Sequence, residues 1–436
     1  MRNKTWAAAA LSAAFMGLGQ WYNRQWLKGL LLFAIGIGGA WWIVERLARD
    51  VAGMITLGDA PREMVKVGKT YQFVDGDHSI QLLVQGLIAL IFVLLLASLY
   101  AMNVRDAWAT AKLREAGIAP YSFSVTLRRV AERRFPLMIL AVPVTAAILL
   151  TVMPILFSVL VAFTDYAAPN LPPANLVHWI GFDTFGNLLR MSSWSGTLVS
   201  VALWTLLWSV AATLTTYGLG TMVAIMIQQR GVRFKRLWRT FMVVPFAIPS
   251  LVSLLVFRNM FNEQFGPINQ YLEMIGLGAV PWLNDLLWAR ITIIGVNLWL
   301  GFPLIMILVS GVLTTIPRDL YEAAEVDGAS RAYMFRHITL PLLLFATAPI
   351  LIMQFAFNFN NFNVIFLLTN GNPIQPDLMY AGGTDLLVTW IYKLTLTNSQ
   401  FNFASVLSIM IFLVIATVSV LYYRNTRSFK EEDLIQ

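Results

Sequence analysis

Apolar residues in this chain come in long unbroken runs separated by short polar stretches. A hydrocarbon core of about 30 Å takes roughly 20 apolar residues as helix. Eight runs reach that length: 27–45, 80–102, 137–164, 197–226, 240–260, 291–315, 341–363 and 401–423. The runs at 137–164 and 197–226 exceed a perpendicular crossing, so they tilt or continue past the bilayer. A ninth run, TWAAAALSAAFMGLG at 5–19, is short and Ala-rich. Its length suits the apolar part of a signal peptide. The cationic, Trp- and Tyr-rich GQWYNRQWLKG that follows suits a membrane interface instead. The expectation is an interfacial or re-entrant helix on the cytoplasmic side. The pattern as a whole predicts an all-α polytopic membrane protein with eight transmembrane helices. It divides into an N-terminal region, 1–135, with the interfacial helix, two spans and a basic loop, and a six-span core, 136–436.

Composition agrees. The chain is 58% hydrophobic and 12% charged, with a mean hydropathy of +0.67, whereas a soluble domain carries about 25% charged residues. Cysteine is absent, which excludes disulfides and thiolate metal sites. The three histidines, His78, His178 and His337, are far apart and no HExxH occurs, so no metal site is expected. A net charge of +8 in a soluble protein would suggest nucleic acid. Here the basic residues follow the spans, and no nucleic-acid partner is expected. With the N-terminus in the cytoplasm, the cytoplasmic loops hold Arg105, Lys112, Arg114, Arg128, Arg129, Arg133 and Arg134, then Arg230, Arg233, Lys235, Arg236 and Arg239. They also hold Arg318, Arg331 and Arg336, and the tail adds Arg424, Arg427 and Lys430. The opposite loops after the first hold only Arg190, Arg290 and Lys393. The positive-inside rule then puts both termini in the cytoplasm.

Several function classes lose support. No stretch outside the spans reads as a soluble catalytic domain. VGKT at 67–70 ends like a Walker A loop, but Glu63 stands where that motif needs glycine. Any ATP used in transport is therefore bound by another polypeptide. A transporter driven by protons or sodium should hold carboxylates inside its spans, and the cores of the eight runs hold none. A membrane-embedded glycosyltransferase should cluster acids or histidines at one membrane face. The external loops offer only dispersed acids such as Asp165, Asp183 and Asp285.

The segment YEAAEVDGASRAYMFRHITLP, 321–341, is charged and helix-forming between two apolar runs. Asp319 followed by Glu322 has capping-box spacing. Leu320–Val326 is then a short helix, and Gly328 suits the left-handed position that ends it. A second short helix runs from Ser330 to His337, and Pro341 starts the next span. The bland alternative is a solvated helical loop. The small Ala323–Ala324 pair and the apolar Tyr333, Met334 and Phe335 favour a docking surface. At this point the chain resembles a family. Glu322, Ala323, Ala324, Gly328, Ile338, Leu340 and Pro341 match the EAA loop of ABC-importer permeases. That resemblance implies a type I permease fold. It also implies that 317–341 is a coupling element seated on the ATPase, with Glu322 as the polar contact and Gly328 as the hinge.

The stretch NFNNFNVIFLLTNGNP, 358–373, places four asparagines at the end of a span. Polar groups inside a membrane face a partner or a pathway, or tie helices together by hydrogen bonds. Asn360 and Asn363 are three apart, on one helical face. An amide both donates and accepts, which suits sugar hydroxyls, and Phe359 and Phe362 offer flat apolar faces. Asn297, Gly301 and Leu304 also share one helical face. A glycine at 301 would let a ring approach the backbone.

These segments are similar to the larger, eight-span subunit of maltose-type carbohydrate permeases. The resemblance implies sugar contacts from Phe246 and Ser250, from Asn297, Leu300, Gly301 and Leu304, and from Phe359, Asn360 and Asn363. The maltose-type pattern has Tyr where Phe246 and Leu304 stand. Two hydroxyls are thus missing, each worth about 1 kcal/mol when hydrogen-bonded. The large external domain of that subunit is also absent, and residues 165–196 take its place. The resemblance implies a bacterial inner-membrane importer with a second permease subunit as heterodimer partner. It further implies two copies of a cytoplasmic ATPase carrying ATP–Mg, and an external or periplasmic sugar-binding protein. Besides these and membrane lipid, this chain would need no cofactor or metal and would catalyse no bond chemistry. Permeation of a polyol, galacto-oligosaccharide or glycerol phosphate remains open; phosphate would call for a cation near the site, for which Arg258 is the candidate.

Overall fold

The computed structural model describes residues 3–425 except 68, 122–124, 126–127, 129–131, 133–134 and 230. Of the basic residues that orient the chain, Arg129, Arg133, Arg134, Arg230, Arg427 and Lys430 lie outside the described residues. All eight apolar runs are helical. In chain order the principal helices are α1 (Asn3–Ala14), α2 (Leu18–Tyr22), α3 (Trp26–Thr56), α4 (Ser79–Glu115), α5 (Ile139–Val161) and α6 (Ser192–Gln228). They continue as α7 (Lys235–Ala247), α8 (Ser250–Met260), α9 (Leu286–Thr315), α10 (Arg318–Val326), α11 (Arg331–Phe359), α12 (Phe362–Leu368), α13 (Leu387–Tyr392) and α14 (Phe401–Asn425). Six of these, α3, α4, α5, α6, α9 and α11, are each long and apolar enough to cross a membrane. The last run, in α14, is apolar over Phe401–Thr417.

The fifth run differs from expectation. It is two helices, α7 and α8, bent by 85°. Pro249 explains the break. It has no N–H to donate, and its ring forces the preceding residue out of the helical region. Ile248 is accordingly extended, at φ −85 and ψ 131.

The chain forms two compact units, Met1–Thr184 with Gln400–Gln436, and Phe185–Ser399. In the first, the 37 residues of α4 span about 55 Å, well beyond a hydrocarbon core. Helix α1 packs antiparallel along the far end of α4. Tyr100 Oη donates to the Ala13 carbonyl at 3.0 Å, and the Thr5 N–H donates to Glu115 Oε1 at 2.9 Å. The turn after α1 is fixed by Gly17 at φ 88, where a Cβ would stand 2.3 Å from the Gly29 carbonyl oxygen. The Gln20 amide donates to the Asn103 carbonyl and to Asp106, and Lys28 pairs with Asp106 at 2.6 Å. The segment expected as an interfacial or re-entrant helix is a helix followed by a helical turn, both bound to α4. Val67 and Thr70 of the VGKT stretch pair with each other at the end of an unexpected β-hairpin, β1 (Glu63–Val67) and β2 (Thr70–Val74); Gly68 lies outside the described residues.

In the second unit, α6 and α9 pack at short range. A Cβ on Gly301 would stand 2.8 Å from Thr216 Cγ2, and one on Gly220 would stand 2.6 Å from Ile305 Cβ. Small residues permit this approach without a hydrophobic drive between helices. The hydroxyls of Thr197, Thr205 and Ser209 along α6 donate to the carbonyl four residues back, so they are satisfied within the helix.

The segment between the last two expected spans, 364–400, read as loop, packs on α6 and α9. Trp204 Nε1 donates to the Thr384 carbonyl, and Leu387 N–H donates to Thr205 Oγ1. Arg290 reaches the Gly383 carbonyl and lies 4.1 Å over the Trp204 ring. Asp385 is fully buried and pairs with Lys393 at 2.6 Å. Burial pushes the Asp385 carboxyl above its ordinary value, and Lys393, the Gly382 N–H and Thr389 pull it back.

Candidate functional site

The 85° break between α7 and α8 leaves backbone without helical partners in an apolar run. At membrane depth such backbone is tolerated where protein buries it or where it lines a cavity. Here it lines one. A cavity of about 410 Å³ is bordered by residues 245–250 of the break, by the middle of α9, and by the end of α11 and start of α12. The second wall is broken too. Helix α11 stops at Phe359 and α12 starts at Phe362, with Asn361 as its N-cap, its side chain accepting from the Val364 N–H. The first turns of α8 and α12 thus border one space.

The side chains around this cavity are apolar or neutral polar; none of the lining residues is charged. Of the expected contacts, Phe246, Ser250, Asn297, Leu300, Gly301, Leu304 and Asn363 line it together. Phe359 and Asn360 do not. The break at 360–361 separates Asn360 from Asn363, so the shared helical face assumed for them does not exist. The Asn360 amide turns back to the Ala356 carbonyl at 3.4 Å, and Phe359 packs near Phe355. Gly301 borders the cavity, but the position a Cβ would take faces Thr216. Its small size serves helix packing.

Among the lining residues that escaped sequence reasoning are Asn361, Gln354 and Phe357. Asn361 donates to Asn297 Oδ1 at 3.4 Å, joining α9 to the break. Gln354 was visible as a lone amide in an apolar run, a signal of the kind that marks pathway residues. Asn358, by contrast, takes the helix-tying role. It is fully buried, its amide donates to Thr213 Oγ1 at 3.0 Å, and its carbonyl accepts from Trp208 Nε1.

The charged elbow lies at the other end of α9. Helix α10 begins at Arg318 behind Pro317, without a side-chain cap, so Asp319 does not cap it. Asp319 instead sits in the first turn, where its charge favours the helix dipole. Gly328, at φ 78, ends α10 in a Schellman arrangement: Ala329 N–H donates to the Ala324 carbonyl, and Gly328 N–H to that of Glu325. Ser330 then caps the next helix by accepting from the Tyr333 N–H. That helix does not stop at His337. It passes through a wider turn at Phe335–Thr339 into the span, with Ile338, Leu340 and Pro341 inside one continuous helix from Arg331 to Phe359. Glu322 and Ala323 are exposed and Ala324 is half-buried. Val326 and Tyr333 are also exposed, so this surface carries apolar groups. Tyr321 Oη and Thr339 Oγ1, 2.9 Å apart, tie the two arms together.

Membrane helices with broken segments around an uncharged cavity, and an exposed elbow at one end, define a solute permease. The comparisons with known proteins identify which kind. A family model described as binding-protein-dependent transport system inner membrane component matches residues 216–430. The galactooligosaccharides transport system permease protein GanP of Bacillus subtilis (strain 168) is 38% identical over 426 residues, covering 97% of this chain and 98% of that one. The maltodextrin transport system permease protein MdxF of the same organism is 34% identical over 436 residues, with 98% and 97% covered. The maltose/maltodextrin permease protein MalF of Klebsiella aerogenes is 38% identical over 253 residues, 57% of this chain and 49% of its own length. A bacterial ABC transporter involved in import of the acidic polysaccharide alginate aligns with a TM-score of 0.54 at 25% identity, over 68% of this chain and 96% of that one. The chain belongs to the family of binding-protein-dependent transport permeases. It is a multi-pass membrane component of a transport system that includes a substrate-binding protein and an ATPase.

Proposed function

We propose that this chain carries a neutral oligosaccharide across a bacterial inner membrane as the larger half of a heterodimeric ABC-importer permease. The observation that carries this reading is the cavity at the two helix breaks. It offers amides from Asn297, Gln354, Asn361 and Asn363, a hydroxyl from Ser250 and aromatic faces from Phe246 and Phe357, with no charge among the described lining residues. Amides match hydroxyls as both donors and acceptors, and an uncharged wall disfavours ions and phosphates. The galacto-oligosaccharide and maltodextrin relatives support the same class of solute.

In this reading two copies of a cytoplasmic ATPase hold ATP–Mg and take up the elbow at 319–340. Closure of the ATPase moves the elbows, and the cavity opens alternately to the two sides. Both termini then lie in the cytoplasm, as the basic loops support. This chain has no native cysteine. Ala174→Cys should therefore react with an impermeant thiol reagent added outside, and Val232→Cys only after the membrane is permeabilised; the reverse pattern would sink the orientation.

The substrate class is tested by uptake in cells or proteoliposomes holding the complete system. Unlabelled malto- and galacto-oligosaccharides should compete for uptake of a labelled oligosaccharide, and glycerol phosphate should not. Competition by the phosphate alone would replace the proposed solute.

A further inference from the structure

A second cavity, of about 440 Å³, lies beside the first in the same unit. Its lining includes Leu283 and Asn284, which directly precede α9, whereas the elbow follows the other end of α9. The order along α9 is thus outer cavity, inner cavity, elbow. The two cavities share walls. Helix α8 gives Ser250 and Leu254 to the inner one and Leu255, Arg258 and Asn259 to the outer; α12 gives Asn363 and Val364 to the inner and Leu368 to the outer. From Ser250 to Asn259 along α8 is about 14 Å at the helical rise. That distance spans more than one pyranose ring.

The outer lining has sugar-recognition chemistry of its own. Asn372 presents an exposed amide, Asn259 is exposed too, with its Nδ2 donating to the Leu255 carbonyl at 3.1 Å and its Oδ1 left to accept, and Phe265 is 62% exposed with a flat apolar face. Arg258 forms no ion pair or side-chain hydrogen bond among the described residues, and no carboxylate lines the cavity. Its guanidinium therefore has donors free for hydroxyl oxygens. A cation without an acidic partner is costly on the flank of an apolar helix unless something polar meets it.

We infer that the cavity formed by Arg258, Asn259, Phe265 and Asn372 is an outer saccharide subsite that holds the trailing rings of a chain whose leading ring occupies the inner cavity. This rests on the oligosaccharide reading above, and it adds a length dependence that the inner cavity alone does not give. A disaccharide is held by the inner site. A longer chain is held by both, so the outer residues set preference for length.

The test compares uptake kinetics of a disaccharide and a pentasaccharide from the same series, in proteoliposomes with the complete transporter. In the double variant Asn259→Ala/Asn372→Ala, the KM for the pentasaccharide should rise about tenfold, the loss expected for two ordinary hydrogen bonds. The disaccharide KM and both maximal rates should stay within about twofold of the wild type, again on the scale of a single weak contact. Phe265→Ala should act in the same direction. Equal effects on both lengths, as a purely structural role would give, overturn the outer subsite, and so does no effect on either. If the wild-type system moves neither sugar, the substrate reading itself fails, which is a separate result.

Discussion

Asn363→Ala will raise the KM for sugar uptake about tenfold, since one unpaired amide facing the solute contributes on the order of 1 kcal/mol or slightly more. Asn360→Ala will leave uptake near normal, because Asn360 does not line the cavity. Asn358→Ala will behave differently from both. It removes a fully buried amide that bonds Thr213, and it leaves a void where Trp208 meets the backbone of residue 358. Its expected effect is a loss of about 2–4 kcal/mol in stability, read as lower abundance in the membrane and a lower unfolding temperature in detergent. Three neighbouring asparagines thus give three outcomes. Normal uptake with Asn363→Ala would count against the inner cavity as the sugar site, and a strong uptake defect with Asn360→Ala would move that site.

Deleting Ala323–Gly328 will abolish uptake and sugar-stimulated ATP hydrolysis while the chain still inserts and pairs with its partner subunit. The deletion removes the exposed end of α10 and the turn that sets the angle between the elbow's arms, and none of these residues lines the inner cavity. Retained sugar-stimulated hydrolysis would refute the coupling role. A finer test uses Gly328 itself. A Cβ there meets nothing within 4 Å, so the requirement is conformational alone, at φ 78. Gly328→Ala should cost about 1 kcal/mol and weaken coupling mildly. Gly328→Val should weaken it more, because a branched side chain tolerates that backbone region least.

Much of this architecture was legible in the residues. Apolar runs of bilayer length located every span. The elbow could be read because its signals are local: a glycine with a defined left-handed role and a charged, Ala-rich helix between two apolar runs; its caps were misread, since Ser330 and not Asp319 supplies one. What the sequence concealed depends on contacts between elements far apart in the chain. Pro249 announced a break, but the 85° turn was read as a single span because the run around it stays apolar. Asn360 and Asn363 were assigned one face on the assumption of an unbroken helix, and the break between them sent one inward and the other away. Gly301, assigned to a sugar, does line the cavity, but its missing side chain makes room for Thr216 on α6, a packing role the sequence did not show. The buried Asp385–Lys393 pair was invisible because both residues sit in what reads as a polar loop.

The inner cavity has walls of unequal continuity. Helix α9, 30 residues long, is one continuous post joining the elbow to the outer end, although Pro303 removes one of its hydrogen bonds. Opposite it, α7 and α8 meet at Ile248–Pro249 with no helical hydrogen bond carried across by the proline nitrogen. A chamber with one post and one jointed wall changes volume by flexing at the joint. Residues 245–250 around that joint border the inner cavity. In the proposed mechanism, loading at the elbow and the grip on a sugar would both be read out at this crease, and stiffening it, rather than altering any polar contact, would jam transport.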